Sequence, residues 1–418
     1  MAGDINNLRI HFYGVQGSGS VYPRRAERHL MRERTEVELL ERVFALLKTQ
    51  STAESNQNNV AGNGSEAGST AEALALAEIL SAESIAPERI KSLWEKIAPP
   101  EAPSYGGWTS CFRLETSDGY DIVFDCGSGF RLCAQDLELK WSSQASRSLT
   151  IFGTHAHFDH TEGFDQADVC FNPANHIHVY GNASYLNALD HYLGVFSHKV
   201  DKSEPGRQTP LTYELMPADF EATELRDLSK DKSNKSSDEL GASEADSVAQ
   251  HIHDWNQPVW IGKTKIQAFE VFHPDPCLAY RIEHNGKVFV YCTDHELRHG
   301  PNPEYPPQVE SVDAERRLRE FAKDADVVYR DGQFLRAEYD GDKSLDSGIG
   351  TARRDWGHSC IEDVVEMAQA CNIRRTYIGH HDPSRSWQEK VEIDEMLKQH
   401  CTDDQHIELA KGETVIDL

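Results

Sequence analysis

Long apolar runs are missing from this 418-residue chain. A membrane-spanning helix needs about 18 to 20 consecutive apolar residues, and nothing in the sequence approaches that. The opening, Met1-Ala2-Gly3-Asp4-Ile5, has no basic stretch followed by an apolar one, so it does not read as a signal peptide. Basic residues are scarce: 42 Lys and Arg stand against 69 Asp and Glu, a net charge of −27. Binding a long nucleic-acid backbone requires clustered cations, so such a partner is disfavoured. A small anionic substrate is not, because a bound metal can invert the local field. Paired cysteines are missing too. The nine cysteines are odd in number and none has C-x-x-C spacing, which argues against a disulfide framework and for a reducing, cytoplasmic setting.

The chain does have 20 histidines and 39% hydrophobic residues, enough for a large core. Alternation predicts strands at Leu8–Tyr13, Thr109–Thr116, Tyr120–Phe124, Leu149–Thr154 and Ile177–Tyr180. Further strands are expected at Val259–Ile261, Lys265–Phe272, Leu278–Glu283 and Lys287–Tyr291, with Asn285-Gly286 as a hairpin turn. Helices at 311–325 and 360–371 alternate with strands at Asp326–Tyr329 and Thr376–Gly379, and 407–418 reads as a closing hairpin. Two segments break this pattern. Residues 25–103 read as a helical insertion. In it, Leu40, Val43, Phe44 and Leu47 mark an amphipathic helix over 33–49, and 50–69 is a flexible linker. Capping-box spacing at Ser69–Glu72 and the Ile90, Leu93, Trp94, Ile97 pattern suggest further helices. Residues 199–257 read as a polar, partly disordered insertion.

The chemistry is concentrated in Thr154-His155-Ala156-His157-Phe158-Asp159-His160. Two residues apart in an extended segment, His155 and His157 point the same way. Three imidazoles and a carboxylate so close together are costly to bury unless a metal compensates their desolvation. Two metals with nitrogen and oxygen ligands need about seven protein groups. Further polar residues stand where apolar strands stop: Asp125, His273, Asp294 and His380. His358 precedes a predicted helix whose Ser359 and Glu362 have capping-box spacing, so it sits beside a helix start suited to an anion. Asp331, Gln333, His381 and Asp382 are weaker candidates. Arg281 and Arg385 read as salt-bridge formers more readily than as phosphate binders, and the His251, His253, Trp255 run as solvated surface.

With these motifs in view, the sequence resembles the metallo-β-lactamase-fold hydrolases, whose H-x-H-x-D-H pattern is complete at 155–160. Tyr105–Cys111, Asp125–Arg131, Asp331-Gly332-Gln333, Trp356–Ser359 and His380–Pro383 place the resemblance on the phosphodiesterase, ribonuclease Z-like side. It covers 8–24, 104–198 and 258–418. Trp108 stands where an Asn is usual, Cys360 where a Thr is, and no long basic arm is apparent.

The resemblance implies a four-layer αββα sandwich, a single domain with the insertions 25–103 and 199–257. It implies His155, His157 and His273 on one metal, and Asp159, His160 and His380 on the second. Asp294 would bridge them and Asp125 would orient the loop. Asp159 and His358 become the candidate catalytic residues. Two divalent ions are expected, zinc first, with manganese or iron also compatible with these ligands. The reading is hydrolysis of a phosphodiester such as a cyclic or other small nucleotide. The alternatives are a thioester or lactam hydrolase, a flavodiiron-type oxidoreductase (disfavoured by His157 in place of Glu), and an interaction protein that keeps the fold. The insertion 25–103 would be a lid or a homodimer contact, and no membrane partner is expected.

Overall fold

The computed structural model describes residues 7–19, 25–57, 91, 104–142, 147–203, 206, 209–231, 247–345 and 350–418. The chain divides into two compact units, Pro23–Pro103 and the remainder. In the smaller unit the described element is one helix, Arg25–Gln57. It contains the expected 33–49 segment but continues into the residues read as linker. Residues 50–57 contain no Gly or Pro, and extending an existing helix costs far less than starting one. The rest of that linker, from 58, and the helices expected near Ser69 and Trp94 lie outside the described residues.

The larger unit holds all the described strands. The first seven are β1 (Leu8–Gly14), β2 (Cys111–Thr116), β3 (Asp121–Phe124), β4 (Arg147–Phe152), β5 (Asn175–Gly181), β6 (Asp219–Arg226) and β7 (His251–Asp254). Then come β8 (Val259–Ile261), β9 (Thr264–Val271), β10 (Cys277–His284), β11 (Lys287–Cys292), β12 (Val327–Asp331), β13 (Arg375–Gly379), β14 (His406–Leu409) and β15 (Val415–Asp417). They form two sheets, in the orders β15-β1-β2-β3-β4-β5-β6-β7 and β14-β13-β12-β11-β10-β9-β8.

The facing layers are apolar and aromatic. Phe12, Phe112, Phe124 and Phe152 of the first sheet meet Tyr280, Tyr291 and Tyr329 of the second, with Phe112 and Tyr329 ring centres 4.3 Å apart. The outer face of the first sheet packs on helices Phe130–Trp141 and Ala183–Leu193 through Phe130, Leu137, Leu186 and Leu189. Helices Pro306–Ala322, Ile361–Ala370 and Trp387–Leu397 contact β9, β13 and β14 of the second sheet. The result is the expected αββα sandwich. Asn285 and Gly286 both adopt positive φ, 47° and 79°, as a two-residue hairpin turn requires.

Two expectations change. Residues 407–418 are not a hairpin: β14 pairs with β13 in one sheet and β15 with β1 in the other. Short alternating strands carry no mark of which sheet they join. Within 199–257, β6 and β7 extend the first sheet, so part of that polar segment is framework. Its histidines on β7 make local contacts. His251 Nε2 lies 3.1 Å from Glu221, and His253 Nε2–H donates to the Gln257 carbonyl at 3.1 Å. All nine cysteines are free. No described helix is long and apolar enough to cross a membrane.

Candidate metal centre

The candidate residues sit where strands end. Asp125 follows β3, the His155–His160 segment follows β4, and His273, Asp294, Asp331 and His380 lie at or just beyond the ends of β9, β11, β12 and β13. Asp125 and His380 take left-handed backbone conformations, φ 58° and 57°, which are uncommon for residues with a Cβ. Such strain concentrates at functional sites because surrounding contacts must hold it. Here the Asp125 N–H bonds the Phe152 carbonyl and the His380 N–H donates to the Tyr329 hydroxyl, both at 3.0 Å. Gly17 leaves room for His380, since a Cβ there would lie 2.4 Å from its Nδ1.

The fold brings together every residue implied as a ligand. His155, His157, His273 and Asp294 form one group and Asp159, His160 and His380 another, with ligand atoms in each within 4.8 Å of one another. Asp294 faces both. Its Oδ1 is 3.2 Å from His160 Nε2 and 3.1 Å from His380 Nε2, and its Oδ2 is 3.5 Å from His155 Nε2 and 3.9 Å from His273 Nε2. Asp159 Oδ2 lies 3.2 Å from His380 Nε2, and His157 Nδ1 lies 3.2 Å from His273 Nε2. His157 alone of the set is exposed.

Hydrogen bonds set the ring orientations. The Thr154 hydroxyl donates to Asp125, so its oxygen accepts from His155 Nδ1–H at 3.1 Å. His160 Nδ1–H donates to Asp125 Oδ2 at 2.9 Å, and His273 Nδ1–H to the Gly357 carbonyl at 3.0 Å. The Nε2 atoms of His155 and His160 are buried without a hydrogen-bond partner. They face carboxylate oxygens, an arrangement that a cation between them reconciles. Two atoms about 2.1 Å from one tetrahedral ion stand about 3.4 Å apart, which matches the spacings above. The residues present therefore fit a pair of divalent ions.

Burial pushes His155 well below its ordinary pKa, with His160 adding to the effect. Burial also opposes charge on His160, but Asp294, Asp159 and Asp125 outweigh it and hold that pKa well above the usual value. His273 is pushed down to about 3, first by burial. Burial alone would raise Asp294, but His380, His160 and His155 hold it well below the usual carboxylate value.

His358 lies beside this cluster, its ring 4.7 Å from that of His380. Its Nδ1–H donates to Asp331 Oδ2 at 3.1 Å, which turns Nε2 away from that carboxylate. Burial opposes protonation here too, but Asp331, Asp294 and Asp159 prevail and raise His358 to about 9. The expected anion site at the following helix start is not built as read. Cys360, not Ser359, is the N-cap. The Ser359 hydroxyl donates to the His295 carbonyl at 2.5 Å, and the N–H groups of Ser359 and Ile361 are taken by Asp331 and the Phe334 carbonyl.

Apart from the bond of Asp331 to His358, the contacts of the weaker candidates are local or structural. Asp331 also accepts the Gln333 N–H, His381 Nε2–H donates to the Ala410 carbonyl, and Asp382 closes its own loop through Ser384. Arg385 pairs with Glu338 and Arg281 with Glu283. Sequence reasoning missed Tyr291, whose hydroxyl donates to Asp125 at 3.0 Å, and Glu296, which accepts the Asp355 and Gly357 N–H groups. A signal was present, since a tyrosine just ahead of a strand-end ligand can reach polar groups with its hydroxyl. A cavity of about 610 Å³ opens against Ala156 and Phe158, with Glu162, Asp165 and Tyr192 also on its wall.

Residues 225–381 match the family model of the beta-lactamase superfamily domain, a span that contains His273, Asp294, His358 and His380. The chain has the metallo-β-lactamase fold. Similar solved structures include a diphosphatase from the PhnP family (13% identity, 98% of both chains, TM-score 0.47). Human short-form tRNase Z is 17% identical over 74% of this chain and 92% of that one, TM-score 0.41. Zinc-bound PqqB from Methylobacterium extorquens is 10% identical over 98% of this chain and 100% of that one, TM-score 0.47. A search of the curated proteins finds no match. On this metallo-β-lactamase fold the His155–His160 cluster lies outside the matched span and joins it only in space.

Asp125 provides a test of this construction. Asp125→Asn keeps the size of the side chain but removes the charge that orients His160. Losing such an outer partner typically lowers metal affinity about 10–100-fold. Competition with a chromophoric chelator should show that loss at one of two binding steps. Unchanged affinity at both would remove Asp125 from the site.

Proposed function

We propose that this chain is a dinuclear metal-dependent phosphodiesterase acting on a small nucleotide diester, cyclic or linear. The observation that carries the reading is the Asp294 carboxylate facing both ligand groups with His358 beside it, Nδ1 at 3.9 Å. His155, His157, His273 and Asp294 would hold one ion, and Asp159, His160, His380 and Asp294 the other. When bound, such a pair lowers the pKa of water towards neutrality and polarises a phosphoryl group. The chain's own part is positional and acid–base. Asp125 and Thr154 orient the imidazoles, and Asp331 orients His358 and favours its protonated form, leaving Nε2–H for the departing oxygen. The −27 net charge favours a small substrate over a long polyanion.

Elemental analysis of the purified protein should find about two equivalents of zinc, manganese or iron per chain. A panel of cyclic nucleotides, dinucleotides, short RNA and aryl phosphodiesters should then show chelator-sensitive hydrolysis of the small diesters. Activity confined to thioesters or lactams would overturn the reading.

A further inference from the structure

The loop ahead of His358 carries an unusual cation. Arg298 pairs with Asp355 at 2.7 Å and Arg354 with Asp340 at 2.6 Å. Arg353 makes no ion pair among the described residues. Its guanidinium lies over the Trp356 ring, 4.2 Å from the centroid, and 6.0 Å from that of Phe334. Phe334 in turn has its ring 6.0 Å from that of His358. Trp356 is 50% exposed.

This loop is tied to the metal centre. Buried Glu296 accepts the N–H groups of Asp355 and Gly357 at 3.0 and 2.8 Å, and the Gly357 carbonyl accepts His273 Nδ1–H. Gly357 has φ +90°, and a Cβ there would lie 2.1 Å from His273 Nδ1, so the contact demands glycine. Trp356 is two residues from His358, at most about 7 Å along the chain.

We propose that Arg353 and Trp356 form a subsite that stacks the planar base of a nucleotide whose phosphate lies at the metal centre, a proposal that rests on the phosphodiesterase reading. The charge alone would suit a second phosphate. Half-exposed Trp356 sets the preference, because a base covers apolar area that a phosphate leaves wet. Every base offers a π-face, and an arginine held against the ring adds cation–π attraction.

Binding of adenosine 5′-monophosphate and ribose 5-phosphate to the zinc-loaded protein tests this by calorimetry, since the two share sugar and phosphate and differ in the base. Base stacking corresponds to about 5- to 150-fold in affinity, so the wild type should prefer the nucleotide at least about tenfold. Trp356→Ala should bring the two ligands within about twofold, Arg353→Ala should reduce the preference, and Trp356→Phe should keep part of it. Equal affinities in the wild type, or a preference intact in Trp356→Ala, would overturn the subsite. A base preference in binding with no cleavage of any diester would support the subsite and overturn the phosphodiesterase reading instead.

Discussion

Replacing Asp294 with Ala is expected to empty both metal positions together. It should lower diester hydrolysis by ~10³-fold or more, about 4 kcal/mol in the barrier. The reason is the division of its two oxygens: Oδ1 faces His160 and His380, and Oδ2 faces His155 and His273. Among the described residues, Asp294 supplies the one carboxylate of the first ligand group. Without it, that group consists of three imidazoles, and a second ion must bind with one fewer negative charge nearby. His273→Ala provides the comparison, because its ring serves one group alone and should cost mainly one equivalent. Elemental analysis after dialysis reads both variants, with circular dichroism to show that each is folded. Two full equivalents in Asp294→Ala would refute the bridge.

The second large effect is expected from His358→Ala. Both ions should remain, because His358 belongs to neither of the two ligand groups implied above, although it also clusters with Asp294 and His380; loss of an equivalent would make it a ligand. Hydrolysis of a nucleotide diester should fall by ~10²–10⁴-fold, the usual range for general acid catalysis. A ribose alkoxide is a poor leaving group and needs the proton. p-Nitrophenolate does not, so the loss on bis-p-nitrophenyl phosphate should be much smaller. Asp331→Asn should act in the same direction through pH. Burial opposes the imidazolium, but Asp331, with Asp294 and Asp159, outweighs it and raises His358 to about 9. Removing the Asp331 charge lowers the pKa, so the alkaline fall in activity should begin at a lower pH. Equal losses on both esters would mean that His358 binds the phosphate rather than protonating the departing oxygen.

The cluster at 155–160 was legible because its four candidate ligands are close neighbours along the chain. The remaining candidates were legible for a different reason: each of Asp125, His273, Asp294 and His380 is a polar residue where an apolar strand stops. His358 was found by an argument that only half survives. The residue lies beside the centre, but not because a free helix start receives an anion there. The Ser359 hydroxyl, which was to cap the helix, instead donates to His295 and accepts from buried Arg330 at 3.1 Å. A capping box is read from two side chains three residues apart. It cannot register that a buried guanidinium from another strand competes for the same oxygen.

By itself, the sequence determined most strands, the hairpin turn at Asn285-Gly286, the helix containing Leu40 and Phe44, and the residue types of the candidate metal centre. Each of these depends on neighbours a few positions away, where alternation, helical period or turn chemistry acts directly. Tertiary structure alone decided that β14 and β15 part into different sheets and that β6 and β7 extend the first one. It also decided that Gly357 holds His273, and that one carboxylate meets imidazoles from four separate loops. His155 and His380 are 225 positions apart (380 − 155). Nothing local relates them; they meet because the two sheets pack face to face through Phe112, Tyr291 and Tyr329, which brings the ends of β4 and β13 to one rim.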